Sequence, residues 1–295
     1  MERVGLYALD QDLATTRSRG IYFYTRGLIR GLAETPDPGF EVHLFLSDAN
    51  LRDFAPRARP GWMHIHHVRG RYGAGAKRLW ADQGLAALLP ARYRLDLVHF
   101  PKGWVPAWNP GRPRVVATLH DAIVPWYRKH HPEVSPRRNG FFTWATRHSI
   151  RRSDRILVPS RSAARDLVDF DPAAEGKITV VVEGCGLEMP SELPHPSERT
   201  GGILVIGSTA PHKATRETLH LLAAWVRAGG TRPAVTVVGL DGWPRGWGEP
   251  PAGLDVKYFG MADERRLIDL YKRHRVLVLL SEIEGFGLPA LEAYA

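Results

Sequence analysis

The chain has 295 residues, 44% of them hydrophobic and 24% charged, a globular composition long enough for two domains. No run approaches the roughly 20 apolar residues that a membrane-spanning helix needs, and the single cysteine, Cys185, excludes an internal disulfide. The net charge of +9 suits nucleic acid, anionic lipid or phosphorylated substrates and does not choose among them.

Met1 to Tyr7 runs directly into a strand-like segment without the basic and apolar regions of a secretory leader. Together with the lone cysteine this leads to the expectation of a cytoplasmic protein. Along the chain, Val4 to Leu9, Glu41 to Leu46, Leu97 to Phe100, Val115 to Leu119, Arg155 to Val158 and Ile178 to Val182 read as strands. Several are near-continuous apolar runs, the pattern of parallel strands covered on both faces. Ile21 to Leu32 and Arg137 to Arg152 have helical spacing, so the first part of the chain alternates strand and helix.

The pattern stops between Glu188 and Pro196, where three prolines and polar residues read as a linker. It then restarts. Strands are expected at Ile203 to Ile206, Val235 to Val238, Val256 to Phe259 and Val276 to Leu280, and helices at Thr215 to Arg227, Asp263 to His274 and from Leu288. The expected organisation is an α/β protein of two Rossmann-like domains facing a cleft, residues 1–187 and 201–295, joined by a linker over 188–200.

Two segments of the second half carry candidate chemistry. In the first, a strand ends at Gly207 and a helix starts near Thr215, with Lys213 between them. Backbone N–H groups and the positive end of the helix dipole favour an anion there, although an ordinary loop with a solvated lysine has the same pattern. In the second, Glu284 precedes Gly285-Phe286-Gly287-Leu288-Pro289 at a strand's end, and Glu292 follows on the next helix. The glycines permit close backbone approach by a ligand, and Pro289 suits a helix's first turn. Two solvated surface glutamates fit equally well.

Glu284-Gly285-Phe286-Gly287-Leu288-Pro289-Ala290-Leu291-Glu292-Ala293 resembles the Glu-x7-Glu motif of retaining glycosyltransferases of the GT-B fold, specifically family 4. Gly207-Ser208-Thr209-Ala210-Pro211-His212-Lys213 is similar to that family's Gly-Thr-x-Glu-Pro-Arg-Lys-Asn loop, with His212 for arginine, Ala210 for glutamate and Ala214 for asparagine. Gly20 to Leu32 resembles its glycine-led first helix, Thr118-Leu119-His120-Asp121 its Thr-x-His-Asp turn, and Asp154 to Ser160 its Ala-Asp-Arg-Ile-x-x-x-Ser strand. Tyr258-Phe259-Gly260 and Leu267 to Tyr271 follow in the family's order.

The resemblance implies transfer of a sugar from a nucleoside-diphosphate sugar to a saccharide or lipid-linked acceptor with retention, in cell-surface polysaccharide or glycolipid synthesis. It implies Glu284 at the reacting sugar and His120 beside sugar and acceptor. The N–H groups of Gly285, Phe286, Gly287 and Leu288 would approach the donor, and Glu292 would hold the ribose. Lys213, with the Gly207 loop, would neutralise the diphosphate, and the Gly20 backbone would approach it from the first domain. It also implies that the family's second domain continues beyond Ala295 through a strand beside Val276 to Leu280. Without that strand the expectation is an open sheet edge and weak stability.

No cofactor and no metal are expected. Asp10-Gln11-Asp12 and Asp169-Phe170-Asp171 lack the flanking context of a metal site, and His99, His120, His130, His131 and His148 lack ligand spacing. Trp126 to His131 with Arg137, Arg138, Arg147, Arg151 and Arg152 forms a basic, aromatic region. It has no nucleic-acid motif, so nucleic acid is not an expected partner. An anionic membrane surface fits it better, beside the plain reading of a solvated helix face. A second functional class, a non-catalytic binding or scaffold protein on the same fold, is also compatible with the sequence.

Overall fold

The computed structural model describes residues 1–15, 19–187 and 194–295, so the first part of the expected linker, residues 188–193, lies outside the described residues. The chain divides into two compact units, Met1–Gly186 and Leu187–Ala295. Each is a parallel sheet with helices, which establishes the α/β class.

The first unit contains β1 (Glu2–Tyr7), α1 (Arg19–Glu34), β2 (Phe40–Ser47), α2 (Leu51–Phe54) and β3 (Met63–Val68). A continuous helical stretch follows: α3 (Gly75–Leu79), a π-helical segment over Trp80–Leu85, and α4 (Ala86–Arg92). After it come β4 (Leu97–Phe100), β5 (Arg114–Thr118), α5 (Ile123–His130), α6 (Pro136–Arg152), β6 (Arg155–Val158), α7 (Arg161–Phe170) and β7 (Ile178–Val180). All strands are parallel, in the order β3-β2-β1-β4-β5-β6-β7.

The period-2 geometry of a strand sends alternate residues to opposite faces. Val42, Leu44 and Leu46 enter a core cluster with Leu6, Tyr22 and Ile29. Phe45, one residue out of phase, enters another with Tyr7, Val98 and Phe100. Both faces of the sheet are therefore covered, which is why these strands read as unbroken apolar runs.

The second unit contains β8 (Gly201–Ile206), α8 (Thr215–Arg227), β9 (Ala234–Val238), β10 (Asp255–Phe259), α9 (Glu264–Arg273), β11 (His274–Val278) and α10 (Leu288–Tyr294). Its sheet has the order β10-β9-β8-β11, again parallel. Asp263 caps α9 by accepting the Arg266 N–H at 2.8 Å.

Two expectations need correction. The strand expected over Val276 to Leu280 begins two residues earlier. His274 is buried at its start and bridges the Leu270 carbonyl and the Thr236 hydroxyl, at 2.7 and 2.8 Å, so a polar residue opens the strand. β11 does lie at the edge of the described sheet, as expected of a strand without its neighbour, and Val276 is half exposed. β3 was not expected, because three histidines interrupt its apolar pattern, yet Met63 and Ile65 pack against the same core as Val42.

Among the described residues, no helix is long and apolar enough to cross a membrane.

His99 on β4 is buried, with Nε2 2.8 Å from the Thr118 hydroxyl. Burial, helped by the nearby His120, pushes its imidazole down to about 4. The folded state thus refuses a proton that the unfolded chain accepts below about 6.5, so stability falls as pH drops from about 6.5 toward 4. Denaturant unfolding at pH 8 and pH 5 should show a His99→Gln variant losing about 2 kcal/mol less than the parent chain over that interval. Equal losses would show that His99 is not a source of acid sensitivity.

Candidate functional site

In an open parallel sheet, ligands bind beyond the carboxyl ends of strands where the strand order reverses. The second sheet reverses between β8 and β11, and the first between β1 and β4. These two places collect most of the residues singled out from sequence.

In the second unit, residues 207–214 leave β8 and residues 279–287 leave β11, two strands paired in register through Val278 and Val205. The loops are tied twice. The Glu282 N–H donates to the His212 carbonyl at 2.8 Å, and Lys213 Nζ donates to Glu284 Oε1 at 2.5 Å. Lys213 is therefore not a solvated lysine: both partners are about three-quarters buried. Burial, with Lys213 adding to it, pushes the His212 imidazole down to about 4. A neutral ring stands where the family's usual arginine would carry charge.

Gly207 has a packing reason of its own. A Cβ there would meet Thr215 Cγ2 at 2.5 Å. Thr215, almost fully buried, accepts the Ser208 N–H at 3.0 Å and fixes the loop to the start of α8. Beyond the loop, Gly287 adopts the left-handed conformation, φ 83°, as the residue before α10, where glycine pays no Cβ penalty. Gly285 and Phe286 precede it in the same loop, and Leu288 is the first helical residue.

Glu292 is buried on α10, where its Oε2 accepts the Tyr271 hydroxyl at 2.8 Å. Burial raises its carboxyl above the usual range, Glu264 adds to the rise, and the Tyr271 bond opposes it. The two glutamates are thus held by different partners, Glu284 by a cation and Glu292 by a phenol.

In the first unit, His120 follows β5. Its Nδ1 lies 2.8 Å from Glu183 Oε1 and its Nε2 2.8 Å from the Pro101 carbonyl. These two contacts fix the orientation of the ring. Tyr24 of α1 packs edge-on against it, with centroids 4.7 Å apart, and its hydroxyl lies 3.1 Å from that of Thr118. Gly20 lies one turn before Tyr24 in α1.

At the β1/β4 switch point, Lys102 pairs with the buried Asp10 at 2.7 Å. These two line a small pocket with Asp82, whose carboxyl is pushed up to about 7 by burial and by Asp10. Asp12 is held by Arg71 through two bonds of 3.1 and 2.6 Å, and Asp171 by Arg147 and Arg151. Both Asp-x-Asp strings thus contain carboxylates neutralised by side-chain cations.

Sequence reasoning missed Thr215, Tyr271, Glu183, Tyr24 and Lys102. Glu183 stands 63 residues from His120, so no local spacing could reveal it. Tyr24, four residues after Gly20, carried a readable signal, since i and i+4 share a helix face.

A parallel sheet with helices in each of two units is the make-up of the GT-B glycosyltransferase fold. Over 99% of this chain the fold matches sucrose-phosphate synthase from Thermosynechococcus elongatus, at 17% identity and TM-score 0.60, covering 79% of that chain. It also matches Anabaena HepE in complex with UDP and glucose, at 14% identity and TM-score 0.53, covering 99% of this chain and 78% of that one. Residues 19–188 match the family described as Glycosyltransferase Family 4, and the chain belongs to it. A D-inositol 3-phosphate glycosyltransferase of Nocardiopsis dassonvillei is 29% identical over an alignment covering 97% of this chain and 74% of the relative. Against three further relatives of similar description, the matched segment spans only 36% to 41% of their length.

Ala214, where the family usually has asparagine, adopts the left-handed conformation at φ 45°, ψ 34°. An alanine there bears a Cβ–carbonyl clash that glycine lacks. Ala214→Gly should raise the unfolding free energy by roughly 0.5–1 kcal/mol after the greater unfolded-state freedom of glycine is subtracted. Chemical denaturation reads this directly, and a destabilised variant would show that the Ala214 methyl contributes more by packing than it costs in strain.

Proposed function

We propose that this glycosyltransferase moves a sugar from a nucleoside-diphosphate sugar to a saccharide or lipid-linked acceptor with retention of configuration, as a hexosyltransferase-type enzyme. The observation that carries the reading is the Lys213–Glu284 pair at the switch point of the second sheet. A cation and a carboxylate held together there suit a substrate that brings both a diphosphate and sugar hydroxyls.

In this reading the diphosphate takes Lys213 from Glu284. Negative charge grows on the departing phosphate while the sugar becomes oxocarbenium-like, and a fixed cation stabilises that state. Glu284, relieved of its cation, accepts hydrogen bonds from sugar hydroxyls. Gly207 and the backbone from Gly285 to Leu288 approach the donor, Glu292 receives the ribose, and Gly20 contributes to diphosphate binding. His120 contacts the transferred sugar or acceptor. With its nitrogens engaged by Glu183 and Pro101 its ring is held in a fixed orientation for that contact. The transfer needs no metal in this scheme, since protein groups supply the cationic charge.

UDP-sugars are the first donors to test, because HepE is seen with UDP and glucose. D-inositol 3-phosphate is the first acceptor, because a relative's name carries it.

The proposed setting is the cytoplasmic face of a membrane. Trp126 and Tyr127 are largely packed, and Arg147 and Arg151 are engaged by Asp171. The exposed apolar groups lie elsewhere on α6: Phe141 and Trp144 are each more than half exposed, beside the exposed Arg137 and Arg138. Aromatic side chains flanked by arginines suit an anionic headgroup layer.

Lys213→Ala should weaken sugar-nucleotide binding more than about tenfold, a loss of about 1.4 kcal/mol. Glu284→Gln should lower transfer while sparing free nucleoside diphosphate, and Glu292→Gln should weaken even the free nucleotide. Calorimetry and a transfer assay separate these effects, and unchanged binding in a folded Lys213→Ala chain would remove the diphosphate assignment. Cosedimentation with anionic liposomes should occur at low salt and fade as salt rises. It should also weaken in a Phe141→Ser/Trp144→Ser chain, and equal binding to neutral liposomes would reject the membrane reading.

A further inference from the structure

The first sheet carries a second polar cluster, at the end of its strands opposite to the switch point. Glu41 and His43 lie in the amino-terminal half of β2, two residues apart and so on one face. His64 lies beside His43 in register on β3, the edge strand, and His66 follows on the same face.

The donor atoms of Glu41, His43 and His64 all lie within 4.8 Å of one another. His43 is only 3% exposed, and its Nε2 has no hydrogen-bond partner. That nitrogen faces Glu41 Oε2 at 3.6 Å, and burying it unsatisfied costs free energy. Its other nitrogen, Nδ1, is 2.8 Å from His66 Nε2. When Nδ1 donates to His66, the Nε2 lone pair is left pointing at Glu41 and His64. A ligating histidine is normally fixed this way, by a hydrogen bond from the ring nitrogen that does not bind the metal.

We propose that Glu41, His43 and His64 form a binding site for a divalent cation of the zinc class. Two imidazoles and a carboxylate suit zinc, nickel or copper, whereas calcium and magnesium prefer oxygen ligands alone. Zinc–ligand bonds of about 2.0–2.2 Å place tetrahedral ligands roughly 3.4 Å apart. The cluster closes to that size by side-chain rotation of Glu41 and His64, both only partly buried. The edge position of β3 gives the ion an entry path and leaves the fourth position to water. Arg3 Nε contacts Glu41 Oε2 at 3.3 Å and Arg3 also donates to the Tyr93 carbonyl, so one carboxylate oxygen keeps its cation while the other turns to the metal. Ligands from two neighbouring strands would clip the edge strand β3 onto β2, away from the transfer chemistry.

The test uses the full chain, stripped with a chelator and titrated with zinc sulfate at pH 7.5 by calorimetry, with thermal unfolding in parallel. The expected result is one zinc per chain and a raised unfolding midpoint, because an ion that binds only the folded state stabilises it. His64→Gln and Glu41→Gln should each weaken binding at least about tenfold. His67→Gln should not, since that ring pairs with Asp48 at 2.6 Å. Absence of stoichiometric binding at micromolar zinc would overturn the proposal. So would undiminished binding in both ligand variants, which would place the ion on others of the 13 histidines.

Discussion

Strand order places two loops side by side in the second unit, and a single ion pair joins them. Lys213 comes from the loop after β8 and Glu284 from the loop after β11. Seventy-one residues separate them in sequence, and they meet because their strands are hydrogen-bonded neighbours. A pair with this exposure adds little to stability on its own. Its importance is positional. It stores a cation and a carboxylate in contact, at the place where open parallel sheets accept ligands.

The surroundings of that pair are built to hold it. Thr215 fixes one loop and demands a glycine at position 207. The Glu282 N–H and His212 carbonyl tie the two loops together. Tyr271 holds Glu292 in a drier setting, where its carboxyl is raised. The first unit uses the same design at its own strand ends: Glu183 and Pro101 orient His120, and Lys102 neutralises Asp10. Polar groups packed this way lose little conformational freedom when a ligand arrives, which is the basis of preorganised electrostatics.

Much of this was legible in the sequence. The Glu-x7-Glu segment, the Gly207–Lys213 loop and the alternation of apolar runs with helical spacing follow from local rules. Leu97–Phe100, Arg155–Val158 and Thr215–Arg227 have the expected bounds. What escaped was whatever depends on register or on distant packing. β3 was hidden because three histidines, two of them adjacent, break its apolar run, and Glu183 became visible only when β7 and the segment after it returned beside β6. The Glu41, His43 and His64 cluster escaped for the same reason. Its spacing exists between strands and not along the chain. The basic aromatic region was located on the correct helices, but burial and ion pairing moved its exposed aromatic face from Trp126 to Phe141 and Trp144.

The central claim is that Lys213 exchanges Glu284 for a diphosphate. A crystal structure of the chain with bound UDP tests it most directly. The account predicts a phosphate oxygen within hydrogen-bond distance of Lys213 Nζ, with the Glu284 carboxylate turned away from the lysine. UDP bound elsewhere, with the Lys213–Glu284 contact intact, would contradict it.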